Sequence, residues 1–256
     1  MSKHIADLKV IGNKRINSDF FIIELSGGDH KLPEIKPGQF AQVRIDGRNE
    51  TFLRRPLSIH DVDYGRNTFK ILIQITGKGT MSLSQLRNGD FVNLVYPLGN
   101  SFSLPSENDK IILIGGGCGV APLLFLAKTL KAENHNPDIL LGFRNVDRII
   151  EYEQYLKIGK VFVTTEDGSF GEKGFVTEHP IMQSGKYHRV YCCGPESMMR
   201  AVALWAQEHN IACEVSLENL MACGIGACLC CVVETNKGNL CTCTDGPVFN
   251  INVLKW

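Results

Sequence analysis

The stretch KIILIGGGCGVAPLLFLAKTLKA, residues 110–132, decides the fold. A short apolar run enters a cluster of glycines at 115, 116, 117 and 119 and leaves it as an amphipathic helix. A strand that turns through glycine into a helix opens an α/β unit, because parallel strands need a crossover connection. The same turn is where a dinucleotide phosphate meets backbone N–H groups at a helix N-terminus, so Gly115, Gly116, Gly117 and Gly119 are candidate nucleotide contacts. The register is not G-x-G-x-x-G, since Ala121 and Pro122 occupy the end of the motif. The next run, DILLGFRN (138–145), ends without an Asp or Glu for a ribose hydroxyl, and Arg144 leaves NAD and NADP undistinguished. A strict dinucleotide fold is therefore excluded, and a related nucleotide fold remains.

Outward from this turn the chain divides into three. Downstream, KVFVTTE (160–166) and RVYCCG (189–194) read as strands, and SMMRAVALWAQEHN (197–210) reads as a helix, which continues a parallel sheet. Upstream, FFIIEL (20–25), QFAQVRI (39–45), FKILIQI (69–75) and FVNLVYP (91–97) are short β-rich runs separated by Gly, Pro, Asn and Asp. That spacing predicts an antiparallel barrel or sandwich. From about residue 213 regular patterning is expected to stop and a cysteine-rich tail to begin. The predicted fold class is multi-domain α+β: an antiparallel β-barrel over 1–102, an α/β parallel-sheet domain over 103–212 and a small Cys-rich domain over 213–256.

The tail contains MACGIGACLCC (221–231) and CTCTDGPVF (241–249). Cys223, Cys228 and Cys231 are spaced C-x4-C-x2-C, the opening of the plant-type [2Fe–2S] pattern that a distant fourth cysteine completes. Gly224 and Gly226 allow a tight loop whose N–H groups turn toward sulfur. Structural zinc favours paired short C-x2-C spacings and has only one here, and no His follows His209. Cys241 and Cys243 both stand where a fourth ligand is needed. They are two residues apart, so on a strand they share a face.

Two further stretches suit an anionic cofactor. In FLRRPLSIHD (52–61), Arg55 and Ser58 offer a charged donor fork and a hydroxyl. In ILIQITGKGTMSLSQL (71–86), Gly77, Gly79 and Thr80 end one run and open a helix. The whole chain has 27 basic and 27 acidic residues. That balance gives no electrostatic case for nucleic acid or an anionic membrane. The start, MSKHIADLKV, holds no apolar run of signal-peptide length and no stretch approaches a membrane span, so a cytoplasmic protein is expected. In that reducing compartment clustered cysteines bind metal or do redox chemistry. Cys118, Cys192 and Cys213 read as small buried hydrophobes. The seven histidines are dispersed and read as surface or core residues.

In this order the pieces resemble the ferredoxin–NADP reductase superfamily. Arg55-Pro56-Leu57-Ser58 looks like its flavin motif, Gly79-Thr80 like its phosphate turn, GGGCGVAP like its nicotinamide turn, and Cys193-Gly194-Pro195 like its C-G-P motif. Within it, residues from about 6 to 253 resemble the electron-transfer subunits of class 1B dihydroorotate dehydrogenase. SLENLMACGIGACLCC and CTDGPVF carry that likeness. The resemblance implies FAD, NAD and a [2Fe–2S] cluster. It selects Cys223, Cys228, Cys231 and Cys243 as ligands, with Cys230 and Cys241 as spectators. It adds Leu72, Ile73 and Gln74 as flavin contacts, and Leu57 replaces the usual aromatic of the flavin motif. It makes Cys193 a candidate contact at the nicotinamide and flavin, and leaves Glu218 either a cofactor contact or a loop cap. It implies an FMN-containing catalytic partner in a heterotetramer of two plus two, with electrons passing from dihydroorotate to NAD+. Similar modules serve hydrogenases, sulfide dehydrogenases and transhydrogenases, and a redox sensor without turnover is the reading from another class.

Overall fold

The computed structural model describes residues 2–47, 51–183 and 186–256. Six antiparallel strands close a barrel: β1 (His4–Arg15), β2 (Phe20–Ser26), β3 (Phe40–Val43), β4 (Arg55–Asp63), β5 (Thr68–Gln74) and, after helix α1 (Lys78–Ser84), β6 (Phe91–Leu98). Their order around the barrel is β1-β2-β5-β4-β3-β6. Strand alternation fills the interior: Phe21, Ile23 and Leu25 of β2 and Phe69, Ile71 and Ile73 of β5 point in. Phe20 and Leu72 point out and join the core of the next domain. The expectation of four apolar runs undercounts the barrel. β1 buries little beyond Leu8 and Val10, and β4 places only Ile59 in the barrel core; both carry a bulge. A bulge breaks the two-residue rhythm on which a sequence reading depends.

The second domain contains β7 (Ile111–Gly116), α2 (Val120–Ala132), β8 (Asp138–Phe143), α3 (Tyr152–Leu156), β9 (Lys160–Thr165), β10 (Glu172–Lys173), α4 (Pro180–Gln183), β11 (Arg189–Cys193), α5 (Glu196–Glu208) and β12 (Ala212–Ser216). Central β7 is buried on both faces. Ile111 and Leu113 pack with α2, and Ile112 and Ile114 pack with α5.

Regular structure does not stop near 213. β12 pairs in parallel with β11, and after the hairpin β13 (Val232–Thr235) and β14 (Gly238–Cys241) the chain returns as β15 (Val248–Asn250), antiparallel to β12. The full sheet order is β10-β9-β8-β7-β11-β12-β15. The cysteine loops therefore hang between two strands of the nucleotide sheet. They dock on the barrel end, where Asn100 N donates to the Gly246 carbonyl at 2.6 Å and Asn100 Nδ2 to the Asp245 carbonyl at 2.8 Å. Among the described residues, no helix is long and apolar enough to cross a membrane.

Candidate functional site

The strand order reverses at β7, whose neighbours are β8 on one side and β11 on the other. In open α/β sheets the crevice beyond the carboxyl ends at such a switch point is where ligands bind. A cleft of about 620 Å³ lies there, lined by Gly116, Gly117 and Gly119 after β7, Gly142 of β8, Thr164 of β9 and Gly194 after β11. That volume is in the range of small-molecule sites, on the order of 300–1,000 Å³. Gly119 is required by a close approach, since a Cβ there would stand 2.0 Å from the Cys193 carbonyl oxygen. Thr164 Oγ1 is buried without a hydrogen-bond partner among the described residues, which suits a polar ligand in the cleft. Pro195 lines the same cleft; Gly115 sits behind it, packed on Val120 and Leu123. Arg144 and Glu166 also reach the rim. Glu166 follows β9, one strand beyond β8, so only the sheet order brings it to the cleft.

The barrel supplies the facing wall. Gly79 is buried, and a Cβ on it would meet Arg55 Nε and Thr51 Cγ2 at 3.3 Å. Arg55 thus lies against the first turn of α1, as an anionic group held by both would require. Thr80 is committed to the turn: its hydroxyl oxygen accepts from Thr76 N at 3.0 Å and donates to the Gly77 carbonyl at 3.2 Å. Gln74 lines the nucleotide cleft and its Oε1 accepts from the Cys118 thiol at 3.1 Å, which ties the end of β5 to the glycine turn. Burial, reinforced by the charge of Glu218, pushes that thiol up to about 12. Leu72 packs on the nucleotide domain and Ile73 points into the barrel core, so of this trio only Leu72 and Gln74 present side chains toward the domain junction. Leu57 is half-buried against the barrel core.

A second, smaller cavity of about 50 Å³ joins the parts. Pro56 and Ser58 of β4, Cys193 of β11 and Gly194 after it, and Glu218 and Met221 of the cysteine module share its walls. The Cys193 thiol donates to the Ser216 carbonyl at 3.4 Å. Burial, with Glu218 nearby, raises its pKa, so it is a neutral thiol. Burial likewise raises the Glu218 carboxyl, which borders both cavities. Glu218 thus lies at the junction of the nucleotide cleft and the cysteine module.

In the cysteine module, backbone N–H groups aim at sulfur. Ile225 N lies 3.4 Å from Cys223 Sγ, Cys230 N 3.5 Å from Cys228 Sγ, and Cys243 N 3.4 Å from Cys231 Sγ. Burial works to raise the Cys223 thiol, but the N–H donors of Ile225, Cys228 and Ala227, with the Cys228 thiol, bring it down to about 6. Burial and the neighbouring Cys231 push Cys243 up to about 12. Cys231 and Cys243 are buried together against Phe40 and Leu98, whereas Cys241 is half-buried beside them and Cys230 is exposed. Donors directed at thiolates are the surroundings a cluster's sulfurs need, so the donor set fits the group. Among the described residues, no three His, Cys, Asp or Glu side chains are gathered as a ready site for a single ion. Cys192 and Cys213 are buried in the sheet, as expected, and Cys118 is half-buried.

One contact was invisible in the sequence. His60 of β4 is buried, with Nδ1 3.0 Å from the Ala121 carbonyl oxygen and Nε2 3.1 Å from Glu151 Oε2. It fastens the barrel to the start of α2 and to the N-terminus of α3. Its partner is 91 residues away in sequence.

Comparison with known proteins agrees with this geometry. A family profile described as the iron–sulfur cluster binding domain of dihydroorotate dehydrogenase B matches residues 218–255, and one described as an oxidoreductase NAD-binding domain matches 113–204. The chain is 40% identical over 245 residues to the dihydroorotate dehydrogenase B (NAD(+)) electron transfer subunit of Caldanaerobacter subterraneus subsp. tengcongensis, covering 94% of both chains. It is 37% identical over 263 residues to the subunit of the same name from Desulforamulus reducens, covering 100% of both. Among solved structures, one described as an NADH-dependent reduced ferredoxin-NADP oxidoreductase of flavin-based electron bifurcation superposes with a TM-score of 0.87 at 31% identity, covering 98% of this chain and 90% of that one. A ferredoxin reductase of carbazole 1,9a-dioxygenase shares the fold alone, with a TM-score of 0.70 at 18% identity over 82% of this chain and 67% of that one.

Proposed function

The chain belongs to the family of dihydroorotate dehydrogenase B electron transfer subunits, and on that premise we propose how its residues divide the work. It is an oxidoreductase subunit that carries electrons from a catalytic partner, through a [2Fe–2S] cluster and FAD, to NAD+ in pyrimidine biosynthesis. A bound flavin would supply the exchange between two-electron chemistry at nicotinamide and one-electron chemistry at the cluster. Arg55 and the Gly79-Thr80 turn hold the pyrophosphate of FAD; Pro56, Ser58, Leu72 and Gln74 border its ring, while Leu57 and Ile73, whose side chains face the barrel core, contribute backbone only. Gly115, Gly116, Gly117, Gly119, Gly194 and Pro195 shape the nicotinamide site. Cys193, as a neutral buried thiol, contacts the face where nicotinamide meets flavin. Cys223, Cys228, Cys231 and Cys243 hold the cluster. The functional division is 1–102 for flavin, 103–212 for NAD and 213–256 for the cluster, the last carried on two strands of the NAD-domain sheet.

One observation carries this reading: side chains from the flavin motif (Pro56, Ser58), the nicotinamide motif (Cys193) and the cluster loop (Met221) line one small cavity. Electron transfer among three centres needs such abutment. The partner is an FMN-containing catalytic subunit, the assembly a heterotetramer of two plus two, and the compartment the cytoplasm, where thiols stay reduced. A second reading, a reductase subunit of an electron-bifurcating complex, is favoured by the 31% identity to the bifurcating oxidoreductase. The purified chain should contain FAD, iron and acid-labile sulfide, and should reduce dyes with NADH while leaving dihydroorotate untouched. Stoichiometric zinc without sulfide, or dihydroorotate oxidation by the chain alone, overturns it.

A further inference from the structure

Strand β3 forms the wall between the barrel and the cysteine module. Ala41 and Val43 face the barrel core, while Phe40 packs against Leu98, Cys231 and Cys243. By strand alternation Gln42 shares the outward face with Phe40. Gln42 is wholly buried, with 0% of its surface exposed. Neither its Nε2 nor its Oε1 has a hydrogen-bond partner among the described residues. The side chain lies against Gly224, the residue after Cys223: a Cβ at that glycine would stand 2.5 Å from Gln42 Cγ and 2.9 Å from Nε2. Gly224 itself has φ +71°, so the loop is both left-handed and without side chain where the amide meets it. A buried amide with both ends unpaired is costly, and such a group in a native fold calls for a bound partner.

We infer that Gln42 is a positioning residue for the cluster, its Nε2–H donating to a sulfur of the bound [2Fe–2S] group; this rests on the reading of Cys223, Cys228, Cys231 and Cys243 as ligands. The sulfurs of a cluster accept hydrogen bonds, and those bonds set its potential. Backbone donors already serve Cys223, Cys228 and Cys231 from within the module. Gln42 is the donor contributed by the barrel. It stands opposite Pro56 in the β3–β4 register, one strand from the flavin motif. A donor here stabilises the reduced cluster and so biases where an electron rests between cluster and flavin.

The test uses the holo chain with FAD and cluster in place, labelled with ¹⁵N at glutamine side chains. Pulsed EPR on the reduced cluster should show a ¹⁵N coupling that disappears in Gln42→Met, an apolar side chain of similar length. In the same variant the equilibrium ratio of reduced cluster to reduced flavin should fall about tenfold, equivalent to about 59 mV for one electron. Gln42→Glu, which keeps the shape but carries no side-chain nitrogen, should also lose the coupling. A merely structural Gln42 predicts no coupling in the wild-type chain and an unmoved midpoint in either variant, and that result overturns the inference. Because the coupling is read on the wild-type chain, a variant that misfolds does not shield the claim. Iron and acid-labile sulfide are measured on the same sample. Their absence overturns the cluster reading itself, whereas a full complement without coupling overturns the role of Gln42 alone.

Discussion

Replacing Gly119 by alanine adds one methyl group where the turn after β7 touches the end of β11, at the proposed nicotinamide site. The backbone at Gly119 is ordinary helical geometry, φ −62° and ψ −15°. Conformational preference alone would therefore favour alanine by about 0.4–1 kcal/mol. The contact decides otherwise. The new Cβ would lie 2.0 Å from the Cys193 carbonyl oxygen, 2.2 Å from its carbon and 2.5 Å from Gly194 N, all of them backbone atoms. Ordinary carbon contacts begin near ~3.5 Å, so the α2 turn and the end of β11 must separate by more than an ångström. Overpacking of this kind costs about 1–3 kcal/mol, which outweighs the conformational gain. At roughly 2–4 °C per kcal/mol for a chain of this size, thermal melting should drop by up to about 10 °C. The separation also displaces Gly194 and Cys193 from Pro56 and Ser58 of β4, and a misplacement near 1 Å costs on the order of a hundredfold in rate. NADH-dependent dye reduction should fall by about that factor while the bound FAD spectrum persists. Gly117→Ala is the control: nothing lies within 4 Å of its Cβ, and only its φ of +53° opposes the change. Wild-type melting and kinetics in Gly119→Ala would refute the close-approach argument.

Two other outcomes follow from the same geometry. Cys243→Ser should abolish cluster incorporation and Cys241→Ser should retain it, read by iron content and visible absorption; the reverse pattern would make Cys241 the fourth ligand. Burial works to raise the Glu151 carboxyl, but the His60 hydrogen bond and charge, with Lys14 and Lys128, hold it below its ordinary 4.5. A carboxyl depressed on folding contributes stability that is full above its unfolded value and is lost as pH falls through the folded one. Glu151→Gln should therefore lose about 1.5–3 kcal/mol near neutral pH and match the wild-type chain in acid. Denaturant unfolding between pH 3 and 7 reads this directly, and a difference that grows as pH falls would reverse the sign.

The parts of the site held by short local motifs were legible in the sequence. GGGCGVAP, C-x4-C-x2-C and the Gly79-Thr80 turn each rest on backbone geometry that only certain residues allow, so their spacing survives in one dimension. Strands β1 and β4 were not legible as barrel strands because their bulges and polar faces blur the two-residue rhythm. The strand at 212–216 was lost among the cysteines, since a five-residue strand closed by a return from residue 248 leaves no periodic signal. Contacts between distant segments were the hardest. His60 with Glu151, Gln74 with Cys118 and Gln42 with Gly224 each join residues that only the docking of the domains brings together.

The central claim is that this chain carries electrons between a dihydroorotate-oxidising partner and NAD+. The direct measurement is dihydroorotate-dependent NAD+ reduction by the chain co-purified with the dihydroorotate dehydrogenase catalytic subunit of its organism, compared with each subunit alone. The account predicts NADH formation only by the complex. A stable complex, with FAD and cluster present and NADH–dye activity intact but no dihydroorotate-dependent NADH, would contradict it and turn the assignment toward the electron-bifurcating reductases.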